Sequence, residues 1–181
     1  MRTIVLYKTS TGCTKAYAED LARMVGGDVL ALNKLNWKKA LEMYDCFVFG
    51  GWVRNGVIMG LNDFLVHYDD MNASGKDILV FSSGMSIPSK QGREELISSN
   101  ILDLYHVRYY QLRGSFDLQK LGPINRFIMK KSLSYLENDP EASPERKSLS
   151  SLLERPIEYY DHEGVERIAS VINRIASQKS A

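Results

Sequence analysis

Continuous runs of apolar residues alternate along the chain with segments in which apolar residues recur every three or four positions. Residues 4–7 form such a run, which is typical of a strand buried on both faces. The segment from Tyr17 to Val25 has helical spacing and stops at the pair Gly26-Gly27. Further apolar runs predict four more strands, at residues 29–32, 46–49, 78–81 and 107–112.

Helical spacing between these runs predicts the intervening elements. Helices are expected near residues 37–44, 61–65 and 94–104. A last helix is expected with Asp161 as its N-cap and an apolar stripe formed by Val165, Ile168, Ile172 and Ile175. This alternation predicts an α/β fold, an open and mostly parallel sheet covered on both faces, as a single domain of residues 1–181.

One connection is longer than an ordinary loop between a strand and a helix. Residues 114–156 separate the last predicted strand from the last helix. Within them, residues 123–136 are predicted as an extra helix, and residues 137–151 as a polar loop that contains Pro140 and Pro144.

Composition narrows the class of protein. The chain has 181 residues, of which 44% are hydrophobic and 25% charged, as in ordinary globular proteins, and a formal net charge of +1 does not favour nucleic-acid binding. Two cysteines and three scattered histidines predict neither a disulfide framework nor a metal site. No apolar run approaches the roughly 18 residues that a membrane span needs. We therefore expect a cytoplasmic protein.

Ligands of such sheets bind at the carboxyl ends of the strands, which draws attention to the segments after Tyr7, Phe49 and Phe81. The first of these holds Thr9, Ser10, Thr11, Gly12, Cys13 and Thr14. Four hydroxyls here can donate to phosphate oxygens, and a glycine lets the backbone approach a ligand closely. No P-loop or dinucleotide fingerprint is present, so a monophosphate site is predicted. The alternative is an ordinary capped helix start.

This run resembles the flavodoxin phosphate loop, [Thr/Ser]-x-Thr-Gly-x-Thr, which holds the phosphate of FMN. The resemblance covers most of the chain. It implies a doubly wound, flavodoxin-like three-layer sandwich with a five-stranded parallel sheet of order 2-1-3-4-5. It also implies FMN as the cofactor, bound in part by the six residues of the first segment.

The resemblance assigns the other two segments to the flavin ring. In the second segment, Trp52 is expected to lie against the isoalloxazine; the alternative is that this indole anchors the segment in the core. The cofactor-binding residues implied there are Gly51, Trp52, Val53, Arg54, Asn55 and Gly56. The third segment is expected to supply backbone donors to the polar edge of the flavin and consists of Ser82, Ser83, Gly84 and Met85.

Two features favour two-electron chemistry over electron carriage. Flavodoxin carriers usually have a glycine after the stacking residue, whose peptide flips toward the flavin, whereas Val53 is β-branched and resists positive φ. Carriers also tend to be acidic near the ring, whereas here Arg54 lies in the second segment and Lys8 and Lys15 flank the first. The alternatives are a flavodoxin-type electron carrier serving a redox partner protein, and an FMN-binding sensor without turnover.

A closer resemblance fits an enzyme. The run from Trp52 to Gly56 and the later run from Arg126 to Lys130 resemble the flavodoxin-like, quinone-dependent protoporphyrinogen oxidases. Those enzymes pass hydrogen from a porphyrinogen to a quinone through FMN, which implies a role in heme biosynthesis. The chain differs from them at residues 88–104, which are mixed in charge where those enzymes have a long basic loop. No catalytic side chain is expected beyond the flavin; Arg54 is a candidate contact for a substrate carboxylate or the flavin, or pairs with an acid.

The balanced net charge conceals one basic stretch. Residues 108–131 carry six basic side chains and a single acid, Asp117. They also carry apolar side chains at Phe116, Leu121, Ile124, Phe127, Ile128 and Met129. We therefore expect residues 114–136 to attract an anionic substrate or to contact the inner membrane surface. The alternative is a solvated basic face over an ordinary packed helix.

Overall fold

A parallel sheet forms the centre of the computed structural model, which describes residues 1–140 and 158–179. Its strands are β1 (Thr3–Lys8), β2 (Asp28–Ala31), β3 (Cys46–Arg54), β5 (Asp77–Gly84) and β6 (Arg108–Arg113), in the order β2-β1-β3-β5-β6. A two-residue strand, β4 (Val57–Ile58), pairs antiparallel with the end of β3. Apart from this addition, the predicted five-strand order is confirmed.

Helices lie on both faces of the sheet. One face carries α1 (Cys13–Val25) and the last helix, α7 (His162–Lys179). The other carries α2 (Trp37–Met43), α3 (Leu61–Leu65), α4 (Tyr68–Ala73) and α5 (Lys90–Ser99). A further helix, α6 (Pro123–Asn138), follows β6, and short 3₁₀ turns occur at Leu32–Lys34, Leu102–Leu104 and Leu118–Lys120. No helix in the two described ranges is long and apolar enough to span a bilayer.

Alternate residues of each strand build two separate cores. Val5, Val48 and Leu79 point to the α1–α7 face, where Tyr17 and Ile168 pack against them. Their neighbours along the strands contribute instead to the face covered by α2 to α5. Both cores are fully buried at their centres, so the continuous apolar runs of the sequence are explained by burial on two faces.

Two strands are longer than the sequence pattern predicted. β3 continues through Gly50-Gly51 to Arg54, and β5 continues through Ser82 and Ser83 to Gly84, so these residues do not end their strands. A Cβ at Gly50 would lie 2.1 Å from the Phe81 ring, and one at Gly51 would lie 2.6 Å from Ile58. The two glycines therefore serve close packing rather than a turn.

The helices differ from the prediction most clearly at α5 and α6, and α4 (Tyr68–Ala73) was not predicted. α5 begins at Lys90, where the Ser89 hydroxyl accepts the Gly92 N–H at 3.0 Å, and it ends at Ser99 rather than at residue 104. α6 continues two residues beyond 136, so the predicted polar loop starts later. Most of that loop, residues 141–151 with Pro144, lies outside the described residues. The Asp161 N-cap is confirmed, since its Oδ1 accepts the Gly164 N–H at 2.9 Å.

A third, smaller core lies where the chain leaves β6. Three of its residues belong to the segment between β6 and α6, and one to α6 itself: Phe116, Leu118, Leu121 and Leu133. Met85, which follows the end of β5, and Met129 of α6 pack against it. The Gly114 N–H also donates to the Gly84 carbonyl at 2.6 Å. α6 is thereby attached to the carboxyl edge of the sheet.

Candidate functional site

The β1–α1 loop leaves the start of α1 open. Gly12 is the N-cap with φ of 96°, and no side chain caps the first turn of the helix. The Gly12 N–H donates to the Thr9 hydroxyl at 3.1 Å, which closes the loop on itself. A Cβ at Gly12 would meet nothing within 4 Å, and the first turn holds no acidic residue. The loop therefore presents free backbone donors and open space to an anion.

The hydroxyls of the loop are not equivalent. Ser10 is exposed, and Thr9, Thr11 and Cys13 are partly so. Thr14 is buried, and its hydroxyl hydrogen-bonds the Ser83 hydroxyl at 2.8 Å. Of the predicted phosphate donors, Thr14 is thus engaged in tying α1 to β5, while Thr9, Ser10 and Thr11 remain accessible to solvent.

Trp52 and Val53 lie on opposite faces of the sheet. Along β3, Trp52 alternates with Cys46 and Val48, which places it on the α1–α7 face in register with Ser83. It is half-buried and belongs to none of the three cores of the described residues. Val53 packs into the core on the other side. The structure therefore brings Trp52 toward the β1–α1 side and turns Val53 away from it.

A tight hairpin joins β3 to β4. Asn55 and Gly56 have φ of 49° and 78°, which is the positive-φ pair of a type I′ turn. Asn-Gly is a hairpin signal, but it follows Arg54 and lies beyond the apolar run at residues 46–49 that predicted the strand. The exposed Arg54 precedes the turn and makes no ion pair with a described residue.

The buried Asn100 holds this hairpin from the side. Its Oδ1 accepts the Ile58 N–H at 2.8 Å, and its Nδ2 donates to the carbonyls of Gly56 and Leu96, each at 2.8 Å. Asn100 is 7% exposed; its bonds to Ile58 and Leu96 are buried, and its bond to Gly56 is partly buried. Nothing in the local sequence around Asn100 signals this role, because its partners are brought to it by the fold.

The two serines at the end of β5 also point to opposite faces. Ser83 bonds Thr14 on the α1 side, whereas the Ser82 hydroxyl bonds the Tyr109 hydroxyl at 2.7 Å. Burial raises the pKa of Tyr109 to about 12, so its hydroxyl stays protonated at neutral pH. Of the third predicted segment, Gly84 and Met85 alone are more than slightly exposed.

The segment after β6 is fastened to the start of α1. The Ser115 N–H donates to the Cys13 Sγ at 3.3 Å, and the Tyr17 hydroxyl donates to the Arg113 carbonyl. The same hydroxyl accepts the Asp161 N–H at 2.8 Å, and burial raises the pKa of Tyr17 well above its usual value. A cavity of about 420 Å³ adjoins the loop; it is lined by Thr11, Ser115, Asp117, Lys120, Glu158, Tyr159 and Tyr160.

The cations near the site differ in their partners. Lys8 pairs with Asp63 at 3.1 Å, and Lys15 pairs with Glu19 at 3.3 Å. Lys120, which the sequence analysis counted only within the basic stretch, lines the cavity beside Thr11 and lies 3.8 Å from Asp117. Arg54 is therefore the cation of the predicted site that has no acidic partner among the described residues.

The fold is similar to those of several solved flavodoxins. A flavodoxin from the domain Archaea is 16% identical, with 62% of this chain and 85% of that one covered and a TM-score of 0.43. A flavodoxin, WrbA-like protein from Agrobacterium tumefaciens is 16% identical, with coverage of 69% and 87% and a TM-score of 0.47. Megasphaera elsdenii flavodoxin is 13% identical, with coverage of 83% and 96% and a TM-score of 0.43.

A search of curated proteins finds no match to the chain. The family model of the flavodoxin domain, however, matches residues 4–143. That range contains the loop at Gly12, the five parallel strands and the hairpin at Asn55. The observed order of the parallel strands, β2-β1-β3-β5-β6, agrees with the order 2-1-3-4-5 of the flavodoxin-like fold. The match covers more than half of the chain. This protein is therefore a member of the flavodoxin-domain family.

Proposed function

We propose that the protein binds FMN non-covalently, with its phosphate at the start of α1. The observation that carries this proposal is the open first turn behind Gly12, where no side chain occupies the backbone donors. Residues Thr9, Ser10 and Thr11 would add hydroxyl donors to the N–H groups of the turn. An uncharged hydroxyl set of this kind suits a monophosphate.

The half-buried indole of Trp52 supports the same proposal. It lies at the carboxyl edge, on the face of α1, and is in register with Ser83. A planar aromatic group outside the core, next to a candidate phosphate site, offers a surface on which a flavin ring can stack. FMN would supply the redox chemistry of the site, and the protein would hold and orient it.

We further propose that the protein is a two-electron oxidoreductase. Val53 is held in the ladder with Ile58, and Asn100 clamps the far strand of the hairpin. A peptide flip after Trp52 would break this pairing, so the one-electron device of flavodoxin carriers has no counterpart here. The exposed Arg54 adds positive charge to the hairpin, which favours a fully reduced, anionic cofactor.

The reaction class that we propose is that of the quinone-dependent protoporphyrinogen oxidases. Each turnover would remove two electrons and two protons from a porphyrinogen or a related reduced substrate and transfer them to a quinone, giving the quinol. Arg54 and Lys120 would attract substrate carboxylates, because both are cationic and lie at the carboxyl edge or beside the β1–α1 loop. The resemblance of the hairpin and of α6 to that branch supports the assignment.

Titration of the purified protein with FMN tests the first proposal. We expect quenching of both flavin and tryptophan fluorescence. In Gly12→Val the affinity for FMN should fall about ten- to a hundredfold, because the new side chain would occupy the space in which the phosphate accepts hydrogen bonds from the first turn of α1. Gly75→Val is the matched control: Gly75 also has positive φ and open space, but it lies at the opposite edge of the sheet. Absence of saturable binding by the wild type would refute the proposal.

Anaerobic reduction of the FMN-loaded protein tests the second. We expect a single two-electron reduction, followed by reoxidation on addition of a quinone and by turnover with a porphyrinogen. Two well-separated one-electron steps would identify an electron carrier instead. Flavin binding without acceleration by any acceptor would identify a sensor.

A further inference from the structure

Helix α6 has apolar side chains on two opposite sides. Met129 and Leu133 face the third core. On the other side the helix exposes four large apolar residues at helical spacing: Ile124 (76% exposed), Phe127 (69%), Ile128 (43%) and Tyr135 (76%). The apolar residues of the basic stretch are thus divided, since Phe116 and Leu121 are buried while Ile124, Phe127 and Ile128 lie at the surface.

Lysines accompany the stripe. Lys131 is one turn from Phe127, Ile128 and Tyr135, so it lies in the middle of the exposed apolar side, and Lys130 is exposed beside it. Among the α6 side chains that the structure describes, none is acidic. A stripe that combines large apolar residues, a tyrosine and lysines is typical of a helix that lies in the interface of an anionic membrane.

We propose that this exposed side of α6 docks on an anionic lipid surface. The four apolar side chains would enter the boundary between headgroups and acyl chains, and the lysines would extend to the phosphates. Charge complementarity selects this occupant, because an anionic lipid surface uses the lysines and the apolar side chains together. A single exposed apolar residue is common on protein surfaces. Four on one side of a helix whose opposite side is already packed indicate a binding surface.

Docking in this way would bring the candidate site to the membrane. The inner side of α6 packs on Met85, which directly follows the end of β5 at the carboxyl edge of the sheet. One helix diameter, about 10 Å, therefore separates the lipid surface from that edge. The site would then have direct access to an apolar quinone dissolved in the bilayer as its electron acceptor, a consequence that rests on the proposed function.

Co-sedimentation of the full chain with vesicles tests the docking. We expect pelleting with phosphatidylserine-containing vesicles and little with pure phosphatidylcholine, and a partition coefficient at least about tenfold lower in the double variant Ile124→Ser, Phe127→Ser. The matched control is Val66→Ser, Leu104→Ser, which removes two side chains that are 69% and 72% exposed elsewhere on the molecule. Thermal melting of each variant checks that it is folded.

A charge variant tests the lipid selectivity. Lys131→Gln should lower the partition coefficient about fivefold at low salt, which corresponds to one interfacial charge, whereas Lys38→Gln on the exposed side of α2 should not change it. Equal pelleting with and without anionic lipid would overturn the proposal. An equal loss of vesicle binding in the double variant and in its control would also overturn it. A dimer that forms without vesicles and is abolished in the double variant would overturn it too, because the stripe would then bind a second copy of the chain.

Quinone reduction separates this inference from the proposed function. With a long-chain quinone in vesicles, the double variant should turn over at least about fivefold more slowly than the wild type, and with a short-chain, water-soluble quinone equally fast. A protein that binds vesicles but no FMN would refute the function and leave the docking intact. A flavin-loaded protein that reduces soluble quinone but never binds vesicles would refute the docking alone.

Discussion

The β1–α1 loop and the β3–β4 hairpin lie side by side at the carboxyl edge of the sheet, yet they are built in opposite ways. At Gly12 there is open space, and the backbone donors of the first turn of α1 have no side-chain cap. At Gly50 and Gly51 the space is filled by Phe81 and Ile58, and Asn100 bonds the turn of the hairpin at Gly56 and its second strand at Ile58. The first region is suited to receive a ligand and the second to keep its shape.

This difference matters for the proposed chemistry. Flavodoxin carriers use a movable peptide beside the flavin, whereas here the corresponding backbone belongs to a hydrogen-bonded hairpin. Changes in the hairpin should therefore act on stability, and changes in the loop should act on binding.

The largest effect is expected from Gly50→Ala. The new methyl group would lie 2.1 Å from the Phe81 ring in the middle of a packed core, so the free energy of unfolding should fall by about 3 kcal/mol. Urea unfolding measures it, with Gly122→Ala as a control, because Gly122 has a φ of −60° and its new methyl group meets nothing within 4 Å. If the two variants were equally stable, the Phe81 ring would have room to move aside and the end of β3 would not be closely packed.

Asn100→Ala should cost about 2 kcal/mol, because it leaves the buried Ile58 N–H and the Gly56 carbonyl without partners. Hydrogen exchange at the Ile58 amide should accelerate in parallel. Asn62→Ala, on the exposed surface of α3, should change stability by less than about 0.5 kcal/mol. Unchanged exchange at Ile58 would show that the hairpin is held by its turn alone.

The Ser82–Tyr109 pair predicts loss of stability in alkali. Burial raises the pKa of Tyr109 from 10.0 to about 12, so between these values the unfolded chain loses this proton first and unfolding is favoured as pH rises. The contribution is absent below pH 10, grows by about 1.4 kcal/mol per pH unit between pH 10 and pH 12, and is constant above that range. Tyr109→Phe should flatten the pH dependence of unfolding by that slope; an unchanged slope would contradict the assignment.

The smallest effect is expected from Thr14→Val, which should lower stability by about 1 kcal/mol through loss of the buried bond to Ser83. The resemblance to flavodoxins assigns Thr14 to the phosphate, but its hydroxyl faces Ser83, so FMN affinity should change less than about threefold. Thr14→Ser should restore stability. A tenfold loss of FMN affinity would show that the hydroxyl turns to the ligand, and the loop would then extend one residue further.

Much of the architecture followed from local patterns. The apolar runs and glycine stops located all five main strands, and the Asp161 cap marked the start of α7. The strand ends were less predictable. Gly50-Gly51 and Ser82-Ser83-Gly84 have the composition of turns, but their neighbours across the sheet supply ladder partners and packing that continue the strands. A short window of sequence contains no information on those partners.

The candidate site was predictable in composition but not in arrangement. Its loop was found from the hydroxyls around Gly12, whereas Asn100 escaped because it lies 44 residues from Gly56 in the sequence. The extension of β3 also decided that Trp52 and Val53 face opposite sides of the sheet. Alternation along a strand is strict, so once the strand continues, the side of each residue is set by its register.

The sequence alone determined the alternation of strands and helices, the doubly wound class and the hydroxyl-rich loop around Gly12, because each depends on residues that are close along the chain. Tertiary structure decided which hydroxyls have a hydrogen-bond partner within the protein, at which glycines a neighbouring side chain takes the place of a Cβ, and which side of α6 is buried in the third core. α6 shows the reason: both of its sides are apolar, so periodicity could not choose between them. The packing of Phe116 and Met85 against one side left the other, with Lys131, at the surface.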